Sequence, residues 1–395
     1  MSVLALTGQI IGGLGVLASC AYLIMNCGVV YVFKREQEQA RNLIEADCGG
    51  IQSAGECPPV TQIKPLRTYP NSDEWQALQS FAAQDYPSLN QVILAVDSEE
   101  AASGGDGASN LRTLAPNAEV SIGSVEAMNK KIGVCLPALE RAQGGIIAIS
   151  DADMVASPRL LRCLSLALQD KNTGLATCLY TVKHMPTFGA LCEGLSVNDF
   201  GVSVLVARLV EGINFALGAV MALNRSTLKA IGGLEAIKDH LADDYQLGLR
   251  TSQLGKKVVL AAEVVEDVVG PLTFKEYFIH QLRWMRTYKA SRPGGFFAFI
   301  ITQGLLWSSL LLLSSGAESW CLLLASLWLL LRWGETFYSW NVLAGSNKVG
   351  RYAFLAPIKD FFYLVLWFGA FLGDNVEWGG VRYSIDKEGK MRQSR

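Results

Sequence analysis

The segment GGIIAISDADMVASP, residues 144–158, decides which fold the sequence predicts. Its GIIAIS portion is a short apolar run of the length and composition expected of a buried β-strand. The run ends abruptly on Asp151 and Asp153, which one small residue separates. Because a buried carboxylate is costly unless it is paired or binds a metal, we expect a cation at the end of this strand.

Similar β-type runs lie on both sides of this segment. Helix-length patterns at 73–84 and 126–142 fall between several of them. This alternation predicts an α/β, Rossmann-like domain with a mostly parallel sheet over about residues 61–270. In such sheets ligands bind at the carboxyl ends of the strands, where Asp151 and Asp153 are expected. The runs are VTQI (60–63), QVILAV (91–96), EVSIG (119–123), LATCLY (175–180) and KVVLAAEVV (257–265).

The N-terminal segment predicts a membrane anchor. Residues 3–33 are almost free of charge and are long enough to span a bilayer. Lys34 and Arg35 follow directly, so the positive-inside rule puts the N-terminus outside and the chain from residue 35 onward in the cytoplasm. The sequence therefore predicts a transmembrane anchor at 1–35 and a linker at 36–60.

The C-terminal third is also expected to meet the membrane. Residues 273–292 mix basic and aromatic side chains, as in a helix at the surface of an anionic leaflet. Residues 294–318 and 320–340 predict membrane helices, and 360–372 predicts a third span or a re-entrant or interfacial helix. The predicted divisions are thus an interfacial helix at 271–293, two or three crossings within 294–375, and a basic cytoplasmic tail at 376–395.

The composition limits the possible functions. Half of the residues are apolar, the mean hydropathy is +0.26, and the formal net charge is -2. A nucleic-acid partner is therefore not expected. The nine cysteines form no CxxC pair and the chain has three histidines, which disfavours a zinc site.

Three acid-tipped segments carry the candidate chemistry. Asp151 and Asp153, in a turn, can face one Mg²⁺ or Mn²⁺ ion, although turn aspartates or helix caps would look the same. Asp97 ends the run QVILAVD, and Asp243 and Asp244 open a helix-like pattern in HLADDYQLG. Each of these has an ordinary alternative, a strand-end turn or first-turn acids that face the helix dipole. Their joint occurrence before an aromatic and basic helix favours a functional site.

This order of motifs resembles the GT-A fold glycosyltransferases of family 2, with their D, DxD, [E/D]D and (Q/R)xxRW series. It resembles more closely the membrane-bound ceramide glucosyltransferase branch, family 21, and the related bacterial hopanoid-biosynthesis glycosyltransferases. The resemblance covers about residues 60–293 and the hydrophobic ends. It is carried by IKPLRTYPN (63–71), LQSFAAQDYPSLNQVILAVDS (78–98), MNKKI (128–132) and LGAVMALNRSTLKAIGGL (217–234).

The resemblance implies a role for each matching position. Asp97 would contact the uridine part of a UDP-sugar, with Lys64 and Pro65 lining that pocket. Asn129 and Lys131 would approach the nucleotide. The remaining implied roles are Asp151 and Asp153 as the DxD that holds Mn²⁺ or Mg²⁺ beside the nucleotide, Asp244 as general base in the Asp243–Asp244 pair, and His280, Arg283 and Trp284 as the motif at the diphosphate and the acceptor mouth.

One position departs from the reference pattern. The motif begins with Gln or Arg, but here it begins with His280, and Gln281 comes one position late. Imidazole still hydrogen-bonds phosphate, and as a cation it would also supply charge. The copied role is therefore open at this position alone.

A dedicated base without an evident covalent nucleophile predicts single displacement with inversion. The short C-terminal hydrophobic region favours the addition of one sugar to one lipid hydroxyl at the membrane surface, with ceramide, a hopanoid and diacylglycerol as candidate acceptors. Asp199 or Asn198 could orient that hydroxyl. A polyprenyl-phosphate glycosyltransferase or a processive polysaccharide synthase remains the alternative. The expected location is the bacterial inner membrane, with the catalytic domain cytoplasmic; the sugar and the oligomeric state stay open.

Overall fold

The computed structural model describes residues 3–47, 57–103 and 110–393. The chain forms two compact units, each built from separated stretches of sequence. The first unit comprises Met1–Lys34, Lys183–Val210 and Gly270–Arg382, and the second comprises Arg35–Val182, Glu211–Val269 and Tyr383–Arg395.

The described residues contain eleven strands and thirteen α-helices. The strands are β1 (Val60–Pro65), β2 (Asn90–Val96), β3 (Ala118–Ile122), β4 (Ile146–Ile149), β5 (Met154–Val155), β6 (Thr173–Thr181), β7 (Met221–Asn224), β8 (Lys257–Asp267), β9 (Asn375–Trp378), β10 (Val381–Ile385) and β11 (Met391–Gln393). The helices are α1 (Val3–Asp47), α2 (Ser72–Ala82), α3 (Glu99–Ala102), α4 (Lys130–Arg141), α5 (Leu160–Leu168), α6 (Phe188–Val210), α7 (Arg225–Ala230), α8 (Asp243–Gln253), α9 (Phe274–Ser291), α10 (Pro293–Ala298), α11 (Gly304–Ser315), α12 (Ser319–Ala344) and α13 (Ala356–Gly369).

The second unit is built on an eight-stranded sheet with the order β3-β2-β1-β4-β7-β6-β8-β5. Strands β3, β2, β1 and β4 are parallel, as are β6 and β8. Strand β7 runs antiparallel to both β4 and β6, and β5 runs antiparallel to β8. The predicted α/β, mostly parallel sheet is confirmed, and all six predicted strands are present. Strands β5 and β7, of two and four residues, were not predicted, because runs this short carry no readable period.

The sheet is buried on both faces, which explains why its strands are continuous apolar runs. In β4, Ile147 and Ile149 belong to one hydrophobic cluster with Ile132 of α4. Ile146 and Ala148, on the opposite face, belong to a second cluster with α5. Because side chains alternate along a strand, this packing fixes the register of β4 and so the position of Asp151.

The segment predicted as a cytoplasmic tail at 376–395 contains three short strands, β9 to β11, and its cytoplasmic location stays a prediction. In the second unit, β10 pairs antiparallel with β11, with Tyr383 opposite Gln393. The β11 end also binds the loop before α8: the Met391 amide donates to the Asp239 carbonyl (2.8 Å) and the Leu241 amide donates to the Gly389 carbonyl (3.1 Å). The C-terminus therefore supports the segment that carries Asp243 and Asp244.

Several of the segments predicted to meet the membrane form apolar helices that are candidate spans. Helix α1 continues to Asp47, so the first part of the predicted linker 36–60 is helical, while its residues 48–56 lie outside the described residues. Among the described residues, three helices are long and apolar enough to cross a membrane, and the bent pair Pro293–Thr302 and Gly304–Ser315, with an angle of 48°, would make a fourth. The three are Val3–Glu45, Phe188–Val210 and Gly350–Gly369. Helix α6 was not predicted as a span.

Helix α12, predicted as a span at 320–340, is not among these candidates. It contributes Arg332 and Glu335 to a buried charge network. Arg332 of α12 donates to Glu335 (2.9 Å) and to both carboxylate oxygens of Asp360 (2.9 Å each), and it also binds Asp199. Lys359 binds Asp199 and lies 2.8 Å from Asp360.

This network also changes the interpretation of Asp199. Besides its contacts with Arg332 and Lys359, its second oxygen accepts a hydrogen bond from the Trp340 indole at 3.0 Å. Both carboxylate oxygens are therefore engaged within the first unit. Asp199 ties α6 to α12 and α13, and it is a poor choice for orienting an acceptor hydroxyl.

Candidate active site

Lys131 joins two of the predicted acidic positions in the second unit. Its ammonium lies 2.7 Å from Asp151 Oδ1 and 3.1 Å from Asp243 Oδ2. The Lys131 and Asp243 side chains are only 15% and 9% exposed. Burial lowers the pKa of Lys131, but the nearby Asp151 and Asp243 carboxylates outweigh it and hold that pKa well above its usual value. Lys131 is therefore a permanent cation between the DxD segment and the start of α8.

Asn129 fixes where Lys131 lies. Its side-chain oxygen accepts a hydrogen bond from the Ile132 amide (3.2 Å), which caps α4. Its side-chain nitrogen donates to the His240 carbonyl (2.9 Å) and to Asp243 Oδ1 (3.3 Å). The NxK spacing thus has a structural meaning, because Asn129 begins the helix and binds the partner loop while Lys131 bridges the acids.

Asp244 is a half-buried carboxylate held by two backbone amides. It lies in the first turn of α8, where Oδ2 accepts a hydrogen bond from the Gly218 amide (3.1 Å) and Oδ1 from the Tyr245 amide (2.7 Å). Burial, and then the nearby Asp243 charge, raise the pKa of Asp244 to about 6, although Lys131 opposes the shift. A carboxyl with this pKa is mostly ionised at neutral pH and still accepts a proton readily.

Gly218 lies between Asp151 and Asp244. Its amide holds Asp244, and its carbonyl accepts a hydrogen bond from the Asp151 amide at 3.3 Å. A Cβ atom at this position would lie 3.1 Å from Asp151 Oδ2, 3.5 Å from Lys131 Nζ and 3.7 Å from Asp244 Oδ2. This role could not be predicted from the sequence, because Gly218 stands in an apolar run and makes its contacts through the backbone.

Lys64 lies near the end of β1, which pairs with β4, the strand that leads to Asp151. Lys64 is fully buried, and its ammonium donates to Ser150 Oγ (3.0 Å) and to the Asp151 carbonyl (2.5 Å). Burial lowers the pKa of Lys64 to about 7. Pro65 ends β1 half-buried, and Asp97 is exposed directly after β2. The contact of Lys64, Pro65 and Asp97 with a nucleotide stays a prediction. Lys64 also binds the Asp151 backbone through the hydrogen bond to its carbonyl.

Asp153 carries the feature that best fits a metal ligand. Its Oδ1 is buried and has no hydrogen-bond partner among the described residues. Burial, and then the nearby Asp151 charge, raise the pKa of Asp153 to about 6. The described part of the chain holds no group of three or more His, Cys, Asp or Glu residues arranged around a metal position. Two carboxylates nevertheless fit Mg²⁺ or Mn²⁺, because such ions commonly take one or two protein carboxylates and complete their shell with substrate phosphates and water.

The HxxRW motif lies on α9 in the first unit. This helix begins with a capping box between Thr273 and Glu276. His280 Nδ1 lies 2.8 Å from Glu193 Oε1, and the His280 and Trp284 rings meet edge to face at 4.9 Å. Arg283 is half-buried on the same helix.

Glu193 was missed in the sequence analysis. It is a single acid in the apolar beginning of α6, and that isolation was the available signal. Gln281, one position late for the motif, also donates to Glu193 Oε1, at 2.9 Å.

Comparison with known proteins identifies the family of the chain. A family model described as "Glycosyl transferase family 21" matches residues 16–391. Ceramide glucosyltransferase 1 of Caenorhabditis elegans is 23% identical over 243 residues, which are 60% of this chain and 51% of that protein. The chain therefore spans about half the length of this curated relative.

Two solved structures share a looser likeness. A mannosyltransferase from Pyrobaculum calidifontis, in complex with GDP-Man and Mn²⁺, is 18% identical, covers 89% of this chain and 98% of its own, and has a TM-score of 0.44. Glucosyl-3-phosphoglycerate synthase from Mycobacterium tuberculosis, in complex with Mn²⁺, uridine-diphosphate and phosphoglyceric acid, is 14% identical, covers 60% of this chain and 80% of its own, and has a TM-score of 0.40.

Proposed function

Because the chain belongs to glycosyltransferase family 21, we propose that it transfers one sugar from a UDP-sugar to a hydroxyl of a membrane lipid, with inversion at the anomeric carbon. The observation that carries the proposal is the joining of Asp151, Lys131, Asp243 and Asp244 into one charged cluster at the end of β4. Glycosyl transfer to a hydroxyl needs a base for the proton and positive charge for the departing diphosphate, and this cluster offers both.

Asp244 is the proposed base. Its pKa of about 6 suits the removal of a proton from a hydroxyl as the new bond forms. The Gly218 amide keeps Oδ2 in place, while the carboxylate remains half-buried and within reach of an acceptor. A dedicated base of this kind favours single displacement over a covalent intermediate.

The departing diphosphate would meet cationic groups from this chain. Lys131 is held near the DxD by two carboxylates, so its ammonium would face a diphosphate bound there. Asp151 and Asp153 would hold Mn²⁺ or Mg²⁺, which supplies charge neutralisation to a diphosphate when bound. The unpartnered Oδ1 of Asp153 supports this assignment.

The acceptor is proposed to be a lipid because the chain is rich in membrane-compatible helices. In the part of the chain that the structure describes, three helices and one bent pair are long and apolar enough to cross a bilayer. The curated relative is named as a ceramide glucosyltransferase, which favours a sphingolipid acceptor. A hopanoid and diacylglycerol are the alternative acceptors, because they also offer a lipid hydroxyl. Lys34 and Arg35 after the apolar part of α1 support a cytoplasmic catalytic domain, and we place the protein in a bacterial inner membrane.

The test uses the full chain in nanodiscs with Mn²⁺ or Mg²⁺. UDP-glucose, UDP-galactose, UDP-glucuronic acid and UDP-N-acetylglucosamine are each offered with ceramide, a hopanoid polyol and diacylglycerol, and products are read by mass spectrometry and NMR. We expect one donor and acceptor pair to yield a lipid with a single β-linked sugar. Asp244→Asn should lower the rate at least about 100-fold, while the exposed Glu100→Gln serves as a matched control.

Other outcomes would contradict the proposal in different ways. An α-linked product from an α-linked donor would exclude inversion. A polyprenyl-phosphate acceptor needs no deprotonation, so transfer to it that survives Asp244→Asn would move the assignment to that class. A polymeric product would identify a processive synthase.

A further inference from the structure

The last strands of the chain form a hairpin that the proposed reaction does not use. Strands β10 and β11 pair antiparallel, with Ile385 opposite Met391, and both of these side chains are buried. Asp386 closes the turn between the strands, because its Oδ1 accepts hydrogen bonds from the amides of Glu388 (2.9 Å) and Lys390 (3.0 Å). The hairpin therefore has a defined turn and a buried apolar face, and it is a folded part of the second unit.

This hairpin docks on residues 238–242, the loop directly before α8. The Met391 amide donates to the Asp239 carbonyl at 2.8 Å. In the opposite direction, the Leu241 amide donates to the Gly389 carbonyl at 3.1 Å. The two segments thus exchange amide hydrogen bonds as a short antiparallel bridge does. The loop belongs to no strand of the eight-stranded sheet, so the hairpin supplies backbone partners that the sheet does not.

Asp239 also ties the same loop to the beginning of α4. Its Oδ1 accepts a hydrogen bond from the Met128 amide at 3.1 Å. Beside it, Asn129 donates through its amide to the Lys238 carbonyl (2.8 Å) and through its side chain to the His240 carbonyl (2.9 Å). Asp239 therefore uses its backbone toward the C-terminus and its carboxylate toward α4, and it lies where the two sets of contacts meet.

These contacts lead to the charged cluster. Lys131 lies in the first turn of α4, and Asp243 begins α8 directly after the loop. Their side chains are 3.1 Å apart. Lys131 has a second anchor, since it also lies 2.7 Å from Asp151, which follows β4. A shift of the loop would therefore move the start of α8, including Asp244, more than it moves Lys131.

We propose that Asp239 is a positioning residue for the base, and that the hairpin 383–393 is a brace that keeps Asp239 in place. The loop 238–242, held between the hairpin and α4, sets the direction in which α8 begins and so the orientation of the Asp244 carboxylate. The inference rests on the proposed function, because it takes Asp244 as the base. A misplacement of about 1 Å can cost about 100-fold in rate, so a brace that touches no reacting atom can control turnover.

The experiment compares Asp239→Ala, Asp239→Asn and Asp386→Ala in the full chain in nanodiscs. Asp239→Ala leaves the Met128 amide without its acceptor, whereas Asp239→Asn keeps a side-chain oxygen that accepts a hydrogen bond. Asp386→Ala removes the two hydrogen bonds that close the hairpin turn, and Lys387→Ala, at the exposed next position, is the matched control. Both kcat and KM for the UDP-sugar are measured, and UDP affinity is measured by calorimetry.

We expect a loss of turnover without a loss of donor binding. Asp239→Ala and Asp386→Ala should each lower kcat at least about 10-fold. Their KM and UDP affinity should stay within about twofold of the parent values, because Lys131 keeps its contact with Asp151. Asp239→Asn and Lys387→Ala should change kcat by less than about twofold.

A double variant tests whether the hairpin acts through Asp239. Asp239→Ala with Asp386→Ala should lose little more kcat than Asp239→Ala alone, because both changes break one path. Fully multiplicative losses would overturn the proposal. So would a lower melting temperature with unchanged kcat, because the hairpin would then only stabilise the fold.

Hydrogen exchange read by mass spectrometry gives an answer that does not depend on the acceptor. Leu241 and Gln246 carry amides that donate to backbone carbonyls in the braced region, so peptides that cover residues 238–248 report on it. We expect these peptides to exchange at least about 10-fold faster in Asp239→Ala and Asp386→Ala than in Lys387→Ala. Exchange in β4 should not change. Equal exchange of the 238–248 peptides in all variants would overturn the proposal.

Failure of the proposed function would look different. If no lipid accepts a sugar but the 238–248 peptides respond as expected, the brace on α8 stands and the acceptor assignment falls. If transfer is observed but the two alanine variants leave kcat and exchange unchanged, the brace falls and the function stands.

Discussion

Lys131→Met tests whether one buried cation holds the candidate site together. The methionine keeps most of the aliphatic length of lysine but removes the ammonium that lies 2.7 Å from Asp151 and 3.1 Å from Asp243. Lys130→Met is the matched control, because it makes the same change at the preceding position, which is exposed. We expect the two variants to behave very differently.

The size of the effect follows from the burial of the two carboxylates. At an effective dielectric constant of about 20, two unit charges at this separation attract by about 6 kcal/mol, most of which offsets their desolvation. Removing one partner of a buried pair costs about 3–5 kcal/mol. Asp151 is 38% exposed and therefore screened, whereas Asp243 is 9% exposed, so we expect the lower end of that range, about 3 kcal/mol. For a domain of this size, that lowers the melting temperature by roughly 6–12 °C.

Thermal unfolding in nanodiscs measures this loss, and a second substitution tests its cause. If the loss comes from an uncompensated Asp243 carboxylate, Lys131→Met with Asp243→Asn should recover much of the stability while leaving UDP binding weak. Equal melting temperatures for Lys131→Met and Lys130→Met would refute the reasoning. So would a double variant no more stable than Lys131→Met alone, because the destabilisation would then come from packing and not from charge.

The same variant changes the pH dependence of turnover. Asp244 must be ionised to accept a proton, so kcat/KM should fall as the pH drops through about 6, the pKa to which burial and Asp243 raise this carboxyl. Lys131 opposes that shift, so Lys131→Met should move the acid limb to higher pH. An acid limb that stays in place in Lys131→Met would mean that Lys131 does not act on Asp244.

Three further predictions address the backbone, the charge network and the C-terminus. Gly218→Ala puts a methyl group 3.1 Å from Asp151 Oδ2, and we expect a loss of kcat of at least about 10-fold with little change in melting temperature. Arg332→Met leaves three buried carboxylates without their shared partner and should destabilise the protein by about 3–5 kcal/mol, measured by thermal unfolding. Met391→Pro removes the amide that donates to the Asp239 carbonyl, and we expect lower kcat with UDP affinity retained, measured by kinetics and calorimetry; unchanged kcat would separate the C-terminal strands from the site.

The sequence alone was sufficient to predict the elements that consist of continuous apolar residues. The apolar runs that end at Val96 and Ile149 are buried on both faces, so they read as strands without any knowledge of their partners. The acids after them were predicted at strand ends because an apolar run cannot continue through a carboxylate. The long charge-free segment before Lys34 likewise identified α1 as a candidate span.

The tertiary structure alone decided which groups act on those acids. Lys131 and Asp243 are far apart in sequence and meet because Asn129 binds the loop before α8. Gly218 donates a hydrogen bond to Asp244 through its backbone amide, and the residue type does not indicate such a contact.

The same limit applies in the first unit. Glu193 of α6 binds His280 of α9. Asp199 forms ion pairs with Arg332 of α12 and Lys359 of α13. Local sequence records which residues are buried or charged, because that depends on each residue and its immediate neighbours. The partner of each charge depends on how distant segments pack, and only the folded chain brings those segments together.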